Sequence, residues 1–534
     1  MSQQNVSRQD LPEQTEMHPT RWGDPARARP LPDEARGLVE MVFGVDDRPA
    51  VDEAPLAPPT VDAAALADLR AAVGDAHVRT DDATRRLRTR GKSTPDLLRA
   101  RAGDLTDAPD VVVRPGDHDE VAAVLAVAAA RHLAVVPFGG GTAVTGGLVA
   151  RREGFGGVVS LDLVRMKRLL AVDHVSMTAV LEPGLRGPEA EALLAAEGLT
   201  LGHYPQSFEY ATIGGFAATR SSGQSSAGYG RFDALVVGLT VATPVGRIDL
   251  GTAPASAAGP DLRQLFLGSE GTLGVLTAVT VRVRRLPAVK VYEGWRWPSF
   301  ADGATAIRTL AQAGLLPTVV RLSDEAETAI NLADPGAIGG AADAGCLMIT
   351  GYEGEPAAVE AKQAAVTAVL TGLGGTPAGT APGEKWAAGR FDAPYLRDSL
   401  LDAGVLVETL ETATFWSNLD RLYTDVKAAL TAHLGEPALV LCHISHVYET
   451  GCSLYFTVAA TEGDEPLRRW QEAKSAACDA MIAAGATITH HHAVGWDHKP
   501  WYAQEIGPVG VSVMRAVKHA LDPEGILNPG VLVP

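Results

Sequence analysis

Cysteine is scarce in this chain: four in 534 residues, at Cys346, Cys442, Cys452 and Cys478. They are too few and too scattered for a disulfide scaffold or a CxxC metal site, so they read as reduced core thiols of a cytoplasmic protein. Long apolar runs are missing as well. The most apolar stretch, VAAVLAVAAARHLAVVPF, is interrupted by Arg131 and His132 and falls short of the roughly 18 residues of a membrane span. The N-terminal segment MSQQNVSRQDLPEQTEMHPTRWGDP has no apolar core, which argues against a signal peptide. Positive charge is short too: 46 basic residues, nine of them Lys, stand against 64 acidic ones, for a net charge of −18. That balance argues against a nucleic-acid partner and against broad attraction to anionic lipid, since both need a basic face. What is there, 46% hydrophobic and 21% charged residues, is the profile of a folded chain with length for several cores. The expected partner is a small molecule, with membrane contact at most peripheral; a homodimer is compatible with the composition.

Residues 1–103 are rich in Pro, Ala and charge, with two short helical patterns, and read as a helical extension. Order sharpens at VVVRP (111–115), a β run stopped by Pro. Asp117 fits an N-cap with Glu120 as its capping-box partner. A helix over 118–131 and a strand LAVVPF (133–138) follow. Strands are predicted at 157–162 and 177–182, a helix at 187–197 and a hairpin in LVVGLTVATPVGRIDL. After Pro287, strands near 290–297, 317–322, 346–352 and 405–412 alternate with helices near 299–313, 355–373 and 417–434. A hairpin over 438–460 precedes a helix at 465–484. This spacing predicts an α+β unit, an antiparallel sheet with helices on one face. The expected divisions are 1–103, 104–287, 288–504 and a returning segment 505–534.

The first strand–helix–strand unit runs into PFGGGTAVTGG (137–147), whose five glycines let backbone N–H groups converge on an anion. It is neither GxGxxG nor a Walker A loop. Two further segments place small and hydroxyl residues in apolar context: HYPQSFEYATIGGFAATRSSGQSSAGYGRFDALVVG (203–238) and LGSEGTLGV (267–275). Together these resemble the PCMH-type FAD-binding domain of the vanillyl-alcohol oxidase / p-cresol methylhydroxylase superfamily, followed by an α+β cap domain. The resemblance implies FAD. It implies that Pro137, Phe138, Gly139, Gly140, Gly141, Thr142, Thr145, Gly146 and Gly147 hold the pyrophosphate. By the same resemblance Gln206, Ser207, Thr212, Gly214, Gly215, Thr219 and Gly223 line the flavin, and Glu270, Gly271, Gly274 and Val275 lie on the adenine side. Many relatives tether FAD through a His or Cys; this loop has Thr142, Ala143 and Val144 instead, so non-covalent FAD is expected.

Two histidine segments carry the remaining chemistry. ITHHHAVGWDHKPWYAQEIG (488–507) holds three consecutive His, which cannot all face one site on a regular element. In CHISHVYETGCSLYFTV (442–458), His443 and His446 are three apart. On a continuous strand they would face opposite ways, which disfavours a metal pair, and no metal is expected. Tyr448 would share a face with His446, and a buried Tyr hydroxyl beside a flavin suits proton transfer.

With GHYPQSFEYATIGG, VRLSD (320–324), YLRD (395–398), ETLETAT (408–414) and SHVYETG, these segments resemble the alkyldihydroxyacetonephosphate synthases (alkylglycerone-phosphate synthases) from about residue 105 to 530. That resemblance implies exchange of the acyl group of an acyl-dihydroxyacetone phosphate for a fatty alcohol, in ether-lipid synthesis, through a flavin N5 adduct and without net redox turnover. It implies Tyr448 as general acid/base, His490, His491 and His492 as the polar cluster beside the flavin, and Arg321 and Arg397 as phosphate or carboxylate ligands. After the triple His the family's basic stretch is thinned to AVGWDHKPW, leaving Lys499 as the one firm cation and a candidate substrate contact. This departure, with DPEGILNPG near the C-terminus, keeps a second reading open: an FAD-dependent D-2-hydroxy-acid dehydrogenase or oxidase.

Overall fold

In the computed structural model the described residues are 14–534, apart from 29, 52–53, 150 and 331–344. The run VVV forms Val111–Val113 and the helix His118–Arg131 follows, capped by Asp117, whose side chain accepts from Glu120 N at 2.9 Å. The Glu120 carboxylate reaches back one residue further than a capping box requires, to Gly116 N. The helix ends at His132, whose left-handed backbone turns the chain into strand Ala134–Phe138. Strands Val111–Val113, Val158–Asp162 and Ala134–Phe138 run parallel, as the helical crossover demands. Val78–Arg79 adds an antiparallel edge. A five-stranded antiparallel sheet follows, in the order Leu169–Asp173, Thr178–Leu181, Val275–Arg282, Val236–Thr243, Gly246–Leu250.

The third sheet has seven antiparallel strands in the order Thr376–Gly379, Val289–Trp297, Cys346–Gly354, Val319–Ser323, Ala438–Ile444, Gly451–Thr461, Val405–Phe415. The period of two sorts its faces. Trp295, Trp297, Met348, Val320, Leu322, Cys442, Leu454, Phe456, Leu406 and Leu410 enter one apolar core under the helices. In helix Leu419–Leu434 that core takes Leu422, Val426 and Leu430, fully buried at four-residue spacing. Burying each contributes about 2 kcal/mol relative to exposure. The alternate residues Arg296, Leu347, Ile349, Arg321, Ser323, His443, Tyr455, Thr457, Val407 and Thr409 line a cavity on the other face. A helix-covered sheet whose second face carries Arg, His, Tyr and Thr in register is a floor built for a ligand.

The N-terminal stretch is not a separate appendage among the described residues. Leu69, Arg85 and Leu97 are buried, and Val78–Arg79 joins the first sheet. Glu16 pairs with Arg88, and Trp22 N donates to Asp398 Oδ2 at 2.5 Å, so residues 16–22 bridge the glycine-loop region and the cap. The C-terminal helix Lys499–Leu521 is broken at Gly507, where φ is 67° and Pro508 follows. The tail then returns to the first sheet, with Leu527 bridging Val135 and Asn528 Nδ2 donating to Gly147 O and Glu270 O. No helix of the described residues is long and apolar enough to cross a membrane.

Candidate active site

A cavity of about 730 Å³ lies between the glycine loop and the third sheet. On the loop side it is lined by Pro137, Phe138, Gly139, Gly140, Gly141, Thr142, Gly147, Gln206, Ser207, Thr212, Gly214, Gly215, Thr219, Glu270, Gly271, Gly274 and Val275. Two of the glycines are required by close approach. A Cβ on Gly140 would meet Tyr210 O at 2.0 Å, and one on Gly139 would meet Thr212 Oγ1 at 2.4 Å. Gln206 Nε2 is buried on this wall with no protein partner. An open donor beside a side-chain-free loop fits a pyrophosphate-bearing cofactor. Thr145, Gly146 and Gly223 stand off the wall. Thr145 Oγ1 donates to His492 O, Gly146 abuts Trp496, and Gly223 packs on the Tyr204 backbone. Their work is to hold the wall in place. Glu270 spends its carboxylate on Val494 N and Gly495 N, and burial pushes it up to about 7.

On the cap side, strand Gly451–Thr461 presents Tyr455, a ring stacked on His443 at 4.8 Å and on His491 at 6.0 Å. Burial pushes the Tyr455 phenol up to about 12. His491 and His492 line the cavity; His490 is buried behind them. Burial lowers all three imidazoles, His490 and His492 to about 3, so they are neutral near pH 7. The segment is pinned by Glu411, which no sequence argument singled out as functional. Its carboxylate accepts from His490 N at 2.7 Å, His491 N at 3.0 Å, His492 N at 2.9 Å and Thr489 Oγ1 at 2.6 Å. Burial opposes ionisation of Glu411, but the histidines and these donors outweigh it and hold the carboxyl well below its usual range.

The two arginines both reach the cavity but are differently committed. Arg321 pairs with Glu327 and lies 3.0 Å from the His443 ring nitrogens. Burial disfavours the Glu327 anion, yet His443 and Arg321 hold it down at about 2. Arg397 donates Nη1 to Lys92 O at 2.7 Å, while its buried Nε and Nη2 have no hydrogen-bond partner. Lys499 does not reach the cavity: its amine donates to Gly530 O at 2.7 Å and lies over the Trp496 ring. None of Trp496 to Lys499 lines the cavity. The thinned basic stretch therefore falls on packing against the C-terminal tail.

Two expectations change. Tyr448 is not on the cavity wall; it is about 38% exposed and bonds outside it to His490. The strand that should have carried His446 and Tyr448 stops at Ile444, so alternation of faces ends there, and His443 and His446 both line the cavity. His446 Nδ1 is held by Ser222 Oγ at 3.0 Å and Ser226 Oγ at 2.7 Å. Nitrogens of His446, His490 and His491 lie within 4.8 Å of one another, close enough for a metal ion, yet each ring already has a protein partner. Tyr455, Trp22 and Lys92 are cavity residues the sequence reading passed over. The alternation of polar residues in GCSLYFTV was the available signal for Tyr455.

Comparison with known proteins agrees with this architecture. Residues 109–250 match the FAD binding domain family, and 286–532 match the C-terminal domain family of FAD linked oxidases. The chain is 34% identical to alkyldihydroxyacetonephosphate synthase of Dictyostelium discoideum, over 95% of this chain and 88% of that protein. It is 35% identical to the protein of the same name from Trypanosoma brucei brucei, over 90% of this chain and 82% of the relative. A solved alkyldihydroxyacetonephosphate synthase structure superposes with a TM-score of 0.82 at 30% identity, covering 96% of this chain and 98% of that one. The fold is the PCMH-type FAD-binding fold with an α+β cap, the cofactor is FAD, and the chain belongs to the alkyldihydroxyacetonephosphate synthase family of FAD-linked enzymes.

Proposed function

We propose that the protein exchanges the acyl group of an acyl-dihydroxyacetone phosphate for a fatty alcohol, making an alkyl ether. One observation carries the reading: a single cavity joins the glycine loop to a polar end holding Tyr455, His491, His492 and Arg397, then continues along apolar Val319, Leu347, Ile349, Trp386, Leu396 and Leu400. From the strand of Tyr455 to that of Arg296 is four strand spacings, about 19 Å at roughly 4.8 Å each. That length suits an alkyl chain and would leave a small 2-hydroxy acid with most of the space unfilled.

Bound FAD supplies a nucleophilic ring nitrogen and an electron sink. The chain's own residues do the rest. Backbone of Gly139 to Gly141, Gln206 and Thr212 would hold the cofactor without a covalent link, since the loop offers no His or Cys. Nε and Nη2 of Arg397, which make no hydrogen bond although Nη2 lies 3.6 Å from Asp398 Oδ1, offer a fork for a phosphate or departing carboxylate. Arg321, spent on Glu327 and His443, fixes the His443 ring and through it the stacked Tyr455. Tyr455 keeps its proton at Oη near pH 7 and delivers or accepts it there, the role that the resemblance gave to Tyr448. Neutral His491 and His492 each offer one donor and one acceptor at the same end. Four free, buried cysteines support a cytoplasmic setting.

The test supplies holoprotein with an acyl-dihydroxyacetone phosphate and a labelled fatty alcohol and looks for the alkyl ether. In parallel, D-2-hydroxy acids are added anaerobically. Ether without flavin bleaching supports the reading; bleaching without ether overturns it.

A further inference from the structure

Tyr448 and His490 are left over by the cavity. Tyr448 sits on the turn between Ala438–Ile444 and Gly451–Thr461, about 38% exposed. Its hydroxyl points inward, 2.6 Å from His490 Nε2. His490 is buried and also off the cavity wall. Its Nδ1 lies 3.0 Å from Nδ1 of His491, which is on the wall. Three side chains thus form an unbroken hydrogen-bonded row from the surface to the reacting end. We propose that Tyr448, His490 and His491 are a proton path between bulk water and the cavity.

The proposal rests on the acyl-for-alkyl exchange, whose bookkeeping calls for such a path. The ester C–O bond breaks, an ether C–O bond forms, the carboxylate leaves, and the alcohol O–H releases one proton. Inward, Tyr448 O–H passes its proton to His490 Nε2 and takes one from water. His490 Nδ1–H passes to His491 Nδ1, and His491 Nε2–H protonates the departing carboxylate. Outward, the alcohol proton enters at His491 Nε2, each hop reverses, and Tyr448 returns a proton to water. Every ring gains and loses one proton per passage, so neither imidazole keeps a charge. The second passage restores the tautomers set by the first, and the net product is the free acid.

The surroundings suit the task. Burial keeps His490 and His491 neutral, each with one bare nitrogen and one N–H. Glu411 holds both backbones and favours a transient imidazolium. Arg231 donates to His490 O at 2.9 Å, and His446 stacks on His490 at 5.0 Å with an interplanar angle of 15°. These contacts fix the His490 ring, with the His491 ring at 81° to it, and leave the two nitrogens of His490 to Tyr448 and His491.

The test compares wild type and Tyr448→Phe holoenzyme, with flavin content and melting temperature as checks on folding. In dilute buffer, kcat for ether formation should fall about 10²-fold with KM unchanged, and millimolar imidazole should restore it. A Tyr448→Phe enzyme with wild-type kcat at every buffer concentration overturns the path. A second readout needs no substrate. In ¹⁵N-histidine spectra of the holoprotein, Tyr448→Phe should move the His490 and His491 signals together. If no histidine signal moves, the row does not exist in solution. Should wild type make no ether, the proposed reaction fails and the path is judged on the spectra alone.

Discussion

Replacing Glu411 by Gln removes one charge and alters no shape, so its cost follows from the four donors around the carboxylate. Oε1 accepts from Thr489 Oγ1 at 2.6 Å, His491 N at 3.0 Å and His492 N at 2.9 Å; Oε2 accepts from His490 N at 2.7 Å. Glutamine would keep its carbonyl on the three-donor side and turn its NH₂ toward His490 N–H, a donor against a buried donor. Leaving that peptide unpaired costs about 1–3 kcal/mol, and trading a charged for a neutral acceptor costs up to about 1 kcal/mol for each of the other three. The sum, about 1–6 kcal/mol, brackets the roughly 3–5 kcal/mol that breaking a buried ionic network costs. The sign with pH follows from the depressed carboxyl. Its contribution is present above the unfolded value near 4.5 and is lost as pH falls toward the folded one. The Glu411→Gln enzyme should therefore lie closest to wild-type stability in acid and furthest from it at neutral pH. Displacement of His490 to His492 should also lower kcat by about 10²-fold, the price of a misplacement near 1 Å. Urea unfolding at pH 7 and pH 4 and steady-state rates measure both effects. Equal stability at pH 7, or a full rate, would show that the carboxylate does not organise the histidine segment.

Tyr455→Phe should lower kcat about 10²–10⁴-fold with flavin retained, checked by single-turnover ether formation; a fully active variant removes Tyr455 from its role. In Gly140→Ala the new Cβ would sit 2.0 Å from Tyr210 O, so purified protein should carry little or no flavin, read from the ratio of flavin to protein absorbance. Acid precipitation of wild type should release yellow flavin into the supernatant; colour in the pellet means a covalent link. Dialysis against a chelator should leave the rate unchanged, and stoichiometric zinc in the native protein would contradict the reading that protein partners satisfy His446, His490 and His491.

Much of the fold was legible because its elements are locally consistent. Asp117 caps His118–Arg131 as its side chain demands, and the predicted helix 465–484 is Pro466–Ala483. The alternation that makes strand Gly451–Thr461 also sorts Leu454 and Phe456 from Tyr455 and Thr457. The N-terminal stretch was not legible because its order is borrowed. Arg88 is buried against Asp162 and Glu16, and Trp22 against Tyr210, which are partners 74, 72 and 188 residues away by numbering that no local pattern announces.

The site was legible on the loop side and only partly on the cap side, for a physical reason. A glycine loop is one contiguous segment defined by the absence of side chains, so PFGGGTAVTGG announces that wall of the cavity directly. A proton-transfer site is assembled across a sheet, and its geometry depends on where each strand ends. Counting faces from His443 to Tyr448 assumes an unbroken strand, and Ile444 ends it. Counting within the next strand needs no such assumption, because Gly451–Thr461 is continuous and pairs His443 with Tyr455 directly. The tyrosine in register with the histidine is thus the one that lines the cavity. The tyrosine on the turn keeps part of its side chain at the surface while its hydroxyl turns inward to His490.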